Sequence, residues 1–393
     1  MSSYEGLIIK KQAVELDDGR HNKNRRQPKP VLRKTRNVKT IIFRSFLVFF
    51  TLMFLLIGGL LGAIMIVEFG PSEKARDLFV VSMMETSAAQ FLATSFLGQE
   101  KVDEIMAANA IQNTDEITDT ELVVIGGKKD GNVVVSGGNN TNDASGAKRL
   151  IPGSNGQEVD PDGDGIDIVD VVGSTYRGKM MIVYDPTRVF VGVSGEFGED
   201  KYGKTIDEIY GSYDNIVAGI NGGGWDDRPG HGTGGEPYGI VMSQGEVLWG
   251  GPLSTSWECC AITNDGKLIV GTFSIQKAIE MGVTDAAKYG PTLIVNNIPT
   301  ESLGTGGGLN PRTAIGQRAD GAMLLLTVDG RQSNSLGASL VDIQDIMLKF
   351  EAINAYNLDG GSSTSMLYKG EHINSNASLI GLRKMCTAFL VKE

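Results

Sequence analysis

The chain has 393 residues, a formal net charge of −11 and three cysteines, too few for a disulfide framework. Its charge is uneven: the first 44 residues hold twelve Lys and Arg against four Asp and Glu, a net +8 that leaves −19 for the remainder. The basic part is a tail and not a nucleic-acid domain, so no nucleic-acid partner is expected.

Residues 1–44 lack an apolar period and cannot bury enough surface to order themselves, which reads as a disordered cytoplasmic tail. Residues 45–67 are 23 residues without a charge, about 35 Å of helix against a bilayer core of about 30 Å. They are expected to be a transmembrane helix in contact with membrane lipid. Arg33, Lys34, Arg36, Lys39 and Arg44 precede the span and Glu68 follows it, so the positive-inside bias puts the N-terminus in the cytoplasm and the rest outside.

Gly70-Pro71-Ser72 marks a helix start, and Leu78, Val81, Met84, Ala88 and Phe91 keep helical spacing as far as Gly98; a shorter run covers 102–110. Residues 68–112 are thus expected to form a helical stalk whose apolar stripe packs on itself or serves an oligomer. From 126 to 165, 23 of 40 residues are Gly, Asn, Ser or Asp, and 113–165 reads as a flexible linker. It ends in Asp160-Pro161-Asp162-Gly163-Asp164, whose alternate carboxylates resemble the opening of a calcium loop, although Val171 stands where the closing Glu belongs. Calcium at Asp160, Asp162 and Asp164 stands beside the plainer reading of an acidic, solvated lead-in, and no other cofactor is expected.

Residues 166–393 form the folded domain. Strands are expected over 180–184, 189–193, 216–220, 292–295, 322–328 and 355–358, with hairpins around Gln244-Gly245 and Asn264-Asp265-Gly266. Helices are expected at 205–210 and 274–281, and between Ser339 and Phe350, where Ser339 and Asp342 have the spacing of a capping box. Many short strands with a few helices imply an α+β class with a mixed, mainly antiparallel sheet. Cys259 and Cys260 are adjacent, a spacing that does not readily pair with itself; Cys386 has the choice of either, or all three are free buried thiols.

Four polar loops follow apolar strands: 221–227, 310–313, 329–334 and 357–365. Arg312 and Arg331 suit a phosphate or carboxylate, because a guanidinium presents paired donors in a fixed fork. Asp329 and Asp359 can act as base, nucleophile or orienting acceptor, while His231 sits in a glycine loop and reads as a solvated residue. There is no Walker lysine, no Gly-x-Ser-x-Gly, no Cys-x-x-Cys and no His-Glu-x-x-His, which removes most support from NTPase, α/β-hydrolase and zinc-protease readings.

Asn221-Gly222-Gly223, Pro237-Tyr238-Gly239, Asn310 to Gly316 (NPRTAIG), Asp329-Gly330-Arg331 and Asn357 to Thr364 (NLDGGSST), in this order, resemble the phosphodiester glycosidase family over about 177–393. The family commonly carries a third glycine before the serines, whereas here Ser362 follows Gly361 directly. Similar bacterial members carry an N-terminal membrane anchor and are described as related to exopolysaccharide synthesis. The resemblance implies cleavage of a sugar-1-phosphodiester, or of a phosphate-containing glycan, at its glycosidic bond. It implies Arg312 and Arg331 as a phosphate clamp, Asp359 or Asp329 as nucleophile or base, and Glu236 as a further acid. Asn221, Thr313, Asn357, Gly360, Gly361, Ser363 and Thr364 complete the substrate-binding set. The rival expectation is a non-catalytic module that holds an anionic glycan for a cell-envelope assembly.

Overall fold

The structure is a computed structural model describing residues 38–86, 89–111, 114–125, 159–226, 232–301, 303, 306–378 and 381–393. Most of the basic tail, most of the linker, Asp227 and His231 lie outside the described residues. The chain divides into two compact units, 1–60 and 61–393. Helix Val38–Phe69 is the described part of the first unit and runs on into the second. It is long and apolar enough to cross a membrane, with a mean hydropathy of 2.6 over its most apolar window.

In the second unit the stalk forms three helices, Glu73–Met84, Gln90–Leu97 and Gln99–Ala108, with Ser72 capping the first. Val80, Val81, Ala93, Val102 and Ile105 close their apolar stripe on itself. The stalk is also seated on the domain: the Leu309 N–H donates to Ser82 Oγ at 2.8 Å. Residues 114–125, read from the sequence as the start of the linker, lie along the domain instead. Thr118 N donates to the Val270 carbonyl at 3.1 Å, Val124 N to that of Ala319 at 3.0 Å, and the Lys267 ammonium to that of Thr120 at 3.0 Å.

The domain is α+β, built on three sheets in which every strand pairing among the described residues is antiparallel. The seven-stranded sheet runs in the order Ile166–Val172, Arg177–Val183, Met323–Val328, Arg312–Arg318, Ala352–Leu358, Thr292–Val295, Ile298–Pro299. A five-stranded sheet has the order Glu371–His372, Met366–Tyr368, Ile216–Asn221, Thr387–Lys392, Val189–Val193, and a second the order Glu246–Trp249, Val241–Ser243, Val283–Ala287, Ser256–Thr263, Leu268–Ser274.

The period of two along each strand decides the layers. Met323 and Leu325 face a central core shared with Val191, Ile220 and Phe389 of one small sheet and Val241 and Cys260 of the other. Leu324, Leu326 and Val328 face the other way, onto Leu340, Ile343 and Met347 of helix Leu340–Lys349. That helix starts at the expected capping box: Asp342 N donates to Ser339 Oγ at 3.1 Å, and Ser339 N to Asp342 Oδ2 at 2.8 Å. Helices Ile206–Tyr210 and Ile275–Glu280 cover the outer faces of the two smaller sheets in the same way. All three cysteines are free and buried.

Register places the site. Arg312 pairs with Val328 and Thr313 with Leu358, so Arg312, Asp329 and Asp359 emerge at one end of the large sheet. Asn221 ends a strand of the small sheet, and its N–H donates to the Ser365 carbonyl at 3.3 Å.

Candidate functional site

Asn221 is the junction. Its Nδ2 donates to the Asp359 carbonyl at 2.6 Å, and its Oδ1 accepts from Thr313 Oγ1 at 2.7 Å and from Ser365 N at 3.1 Å. Asn221, Thr313 and Thr364 are buried, with Thr313 Oγ1 lying 3.4 Å from Thr364 Oγ1. These side chains therefore hold the Asp359 loop from beneath. Asn357 is equally buried; its Nδ2 donates to the Gly290 carbonyl at 2.6 Å and its Oδ1 has no partner among the described residues.

The loop after Leu358 is shaped by close backbone approach. Gly361 N donates to the Pro311 carbonyl at 2.9 Å, and a Cβ on Gly360 would stand 2.7 Å from that oxygen. Gly361 has φ +60, which favours glycine, and its Cα faces the Arg331 guanidinium, 3.5 Å from where a Cβ would lie. Gly361–Ser363 then form one tight turn, with Ser363 buried.

The two arginines differ. Arg312 is buried in a cage of carbonyls: Nε donates to Ala338, and Nη2 to Gly306, Gly307 and Gly308 at 3.2, 2.6 and 3.0 Å. Two of its three donor nitrogens are thus engaged by backbone, which works against the two-pronged phosphate clamp expected from the sequence. Arg331, in the left-handed region at φ 57, is exposed and uses Nη2 on Asn310 Oδ1 at 2.9 Å. It keeps the freer fork.

The carboxylates are also separated by role. Asp329 Oδ1 accepts from Ser375 N at 2.9 Å and from Asn374 Nδ2 at 3.3 Å, and burial pushes its carboxyl up, opposed by those bonds. Asn374 Nδ2 also donates to the Thr364 carbonyl at 3.2 Å, and Asn376 Nδ2 to the Ser362 and Thr364 carbonyls, so the 374–376 loop buttresses the Asp359 loop. Burial pushes the Cys386 thiol up, and the negative charges of Asp359 and then Glu236 push it further. Asp359 and Glu236 thus both act on one buried thiol, while Asp329 serves a supporting loop.

Two residues at the site gave no sequence signal. Burial pushes the Tyr289 phenol well above its ordinary range, and the negative charges of Asp359 and Glu85 push it further, opposed by Arg312. Glu85, at the end of the first stalk helix, also acts on both arginines. Burial pushes Arg312 down against the pull of Glu85, and desolvation and then the like charge of Arg312 push Arg331 down. Tyr289, Asp359, Arg312, Arg331 and Glu85 thus share one field. Glu85 is 227 residues from Arg312, so no local pattern could link them.

Asp160, Asp162 and Asp164 do cluster, with carboxylate oxygens within 4.8 Å of one another. The Lys369 ammonium stands 3.0 Å from Asp162 and 3.2 Å from Asp164, and Tyr368 donates its hydroxyl to Asp164. Positive charge for this cluster is supplied from within the chain.

Residues 214–392 match the family model described as Phosphodiester glycosidase. The chain is 32% identical over 200 residues to the SPbeta prophage-derived uncharacterized protein YomE of Bacillus subtilis (strain 168), covering 49% of this chain and 29% of that protein. It is 39% identical over 62 residues to the N-acetylglucosamine-1-phosphodiester alpha-N-acetylglucosaminidase of Bos taurus, 16% of this chain and 12% of that one. The chain therefore spans less than a third of the length of these curated relatives. A similar solved structure is the catalytic domain of the zebrafish N-acetylglucosamine-1-phosphodiester alpha-N-acetylglucosaminidase, auto-inhibited by its pro-peptide, at 22% identity and TM-score 0.49 over 58% of this chain and 82% of that one. The resemblance read from the sequence is upheld: the Arg312, Asp329 and Asn357 blocks all fall inside the match, which begins at residue 214 and not near 177.

Proposed function

We propose that the phosphodiester glycosidase domain matched over 214–392 hydrolyses the glycosidic bond of a sugar-1-phosphodiester. The observation that carries this is the placement of the Arg331 guanidinium against the Asp359-Gly360-Gly361 loop. A phosphate ester is already a good leaving group, so the site needs positive charge on the phosphate and a carboxylate near the anomeric carbon, where positive charge develops. Arg331 binds the phosphate oxygens in this reading. Arg312, immobilised by its carbonyl cage, adds fixed positive charge without reorganising. Asp359 acts as nucleophile or base, and Asp329 holds the 374–376 loop. Ser363 and Thr364 orient the sugar through the loop they build.

The apolar helix anchors the chain, the basic residues before it stay in the cytoplasm, and the domain works outside on cell-envelope or exopolysaccharide glycans. Protease applied to intact cells should remove the domain and spare the tail; a protected domain sinks that orientation. Activity is tested by incubating the full chain in detergent with a panel of sugar-1-phosphodiesters and measuring free sugar. Turnover that vanishes in Asp359→Asn supports the reading. Saturable binding with no release of sugar favours the non-catalytic glycan-holding module instead.

A further inference from the structure

Beside the Asp359 loop lies a cleft of about 560 Å³, lined by Glu236, Tyr238, Trp249, Thr255, Trp257 and Lys288. That volume is in the range of small-molecule sites, about 300–1,000 Å³. Its aromatic walls are set before anything binds. Trp257 Nε1 donates to the Gly250 carbonyl at 2.9 Å, and Trp249 stands edge-on to Phe197 with ring centroids 6.4 Å apart. Gly239, at φ +62, lets Lys288 and Trp257 lie side by side: a Cβ there would be 2.2 Å from Lys288 Cδ and 3.0 Å from the indole.

Two charges in this cleft are unspent. Among the described residues, neither the Glu236 carboxylate nor the Lys288 ammonium makes a side-chain hydrogen bond or an ion pair. Half-buried charges of opposite sign on one aromatic wall, left unpaired with each other, are groups held for a ligand that both accepts and donates hydrogen bonds. The wall is continuous with the site. Asp359 N donates to the Gly222 carbonyl at 3.2 Å, Gly224 N to that of Lys288 at 2.9 Å, and Tyr238 N to that of Gly224 at 2.9 Å.

We infer that this cleft is a subsite for neutral sugar units of a glycan chain that extends from the phosphodiester. A pyranose has an apolar C–H face, which an indole or phenol ring covers, and an edge of hydroxyls, which a carboxylate accepts from and an ammonium donates to. With one acid and one base the cleft has no net preference for an anion. It therefore complements the arginine side, where the phosphate sits. The inference rests on the proposed glycosidase reading for its place in the reaction, but binding in the cleft stands by itself.

The test is calorimetric titration of the full chain in detergent, carrying Asp359→Asn so that nothing is consumed, with neutral hexasaccharides of glucose, N-acetylglucosamine and mannose and with the matching monosaccharides. At least one hexasaccharide should bind saturably and at least tenfold more tightly than its monosaccharide. Trp257→Ala and Lys288→Ala should each weaken it at least fivefold, while Trp257→Phe, which keeps a ring, stays within threefold. Far-UV circular dichroism checks that each variant is folded, and Lys288→Ala carries the test if Trp257→Ala is not. Absence of binding by every hexasaccharide overturns the inference, as does binding indifferent to both positions, or a proline-rich peptide taking the cleft in their place. Hexasaccharide binding in a protein that releases no sugar from any phosphodiester would sink the glycosidase reading and leave the subsite standing.

Discussion

Asn221 and Asp359, 138 residues apart, are joined by a side-chain-to-backbone bond of 2.6 Å that ties the end of a small-sheet strand to the loop ending a large-sheet strand. Asn221→Asp keeps the acceptor for Thr313 and Ser365 but turns a donor into a charged oxygen facing the Asp359 carbonyl. Leaving such buried groups mismatched costs about 1–3 kcal/mol each. The variant should melt on the order of 5 °C lower and lose turnover more than proportionately, because the loop is no longer held. Thermal denaturation and sugar release from the same preparation check this; an unchanged melting temperature refutes it.

Asp359→Asn should abolish hydrolysis at an unchanged melting temperature, since an amide neither attacks an anomeric carbon nor takes a proton from water; losses of this kind are on the order of 10² or more. Arg331→Lys should raise KM by loss of the fork. The phosphate clamp read from the sequence makes Arg312→Lys weaken substrate binding and turnover together with stability intact. Its four bonds to carbonyls make it a structural residue as well, so Arg312→Lys should now lower the melting temperature measurably. Wild-type stability of that variant would contradict the cage.

Asp329 is pushed up by burial. Its folded pKa lies above the unfolded value of about 3.9, so the folded state holds the proton more tightly. This contribution favours folding most at low pH and is lost as pH rises from about 4 through the folded pKa. Asp329→Asn keeps an oxygen for Ser375 and Asn374 without the charge. Its melting temperature relative to wild type should therefore climb as the pH rises above about 4, and it should retain measurable turnover. A dead enzyme would move Asp329 into the chemistry beside Asp359.

Truncation tests the docked segments. From composition alone, the linker is dispensable for folding and a fragment beginning near Ile166 is expected to melt cooperatively by itself. The bonds from Ser82, Thr118 and Val124 to the domain predict that such a fragment is weakened. The fragment from Ile166 should melt at least about 5 °C below one from Ser72, because Thr118 and Val123 are then no longer there to cover the strand Leu268–Ser274 and its neighbours. Coincident melting curves would return 68–125 to the status of a tether.

What was legible in the sequence was local. The Ser339 capping box, the Gln244-Gly245 and Asn264-Asp265-Gly266 turns and the apolar run over 322–328 each have a short-range cause, and the structure places them as expected. Strand Arg312–Arg318 was hidden because Pro311 and two arginines make its ends look like loop, while its interior pairs on both sides with distant strands. The antiparallel order, the docking of 114–125 and the carbonyl cage of Arg312 depend on pairings across many residues, which no window of periodicity contains. At the site, Asn357, Asp359 and the two glycines were readable as a motif. Tyr289 and the 374–376 loop were not, since an isolated tyrosine and an Asn-Ser-Asn turn are ordinary in any loop.

Glu85 closes the helix Glu73–Met84, where a negative charge opposes the helix dipole by about 0.3–1 kcal/mol, so helix stability gives no reason for a carboxylate there. Its charge acts instead on Arg312, Arg331 and Tyr289. An anionic substrate approaching those arginines meets that carboxylate as a competing anion. Removing one unit charge at such range is worth on the order of 1 kcal/mol at low salt, about fivefold in affinity, and the effect is screened above about 0.15 M salt. Glu85→Gln should therefore lower KM for a sugar-1-phosphodiester severalfold at low ionic strength, leave kcat within twofold, and converge on wild type as salt is added. Stability should be unchanged or slightly higher. A KM that stays constant at low salt would show that Glu85 does not oppose the substrate, and a large fall in kcat would instead make it a participant in the reaction.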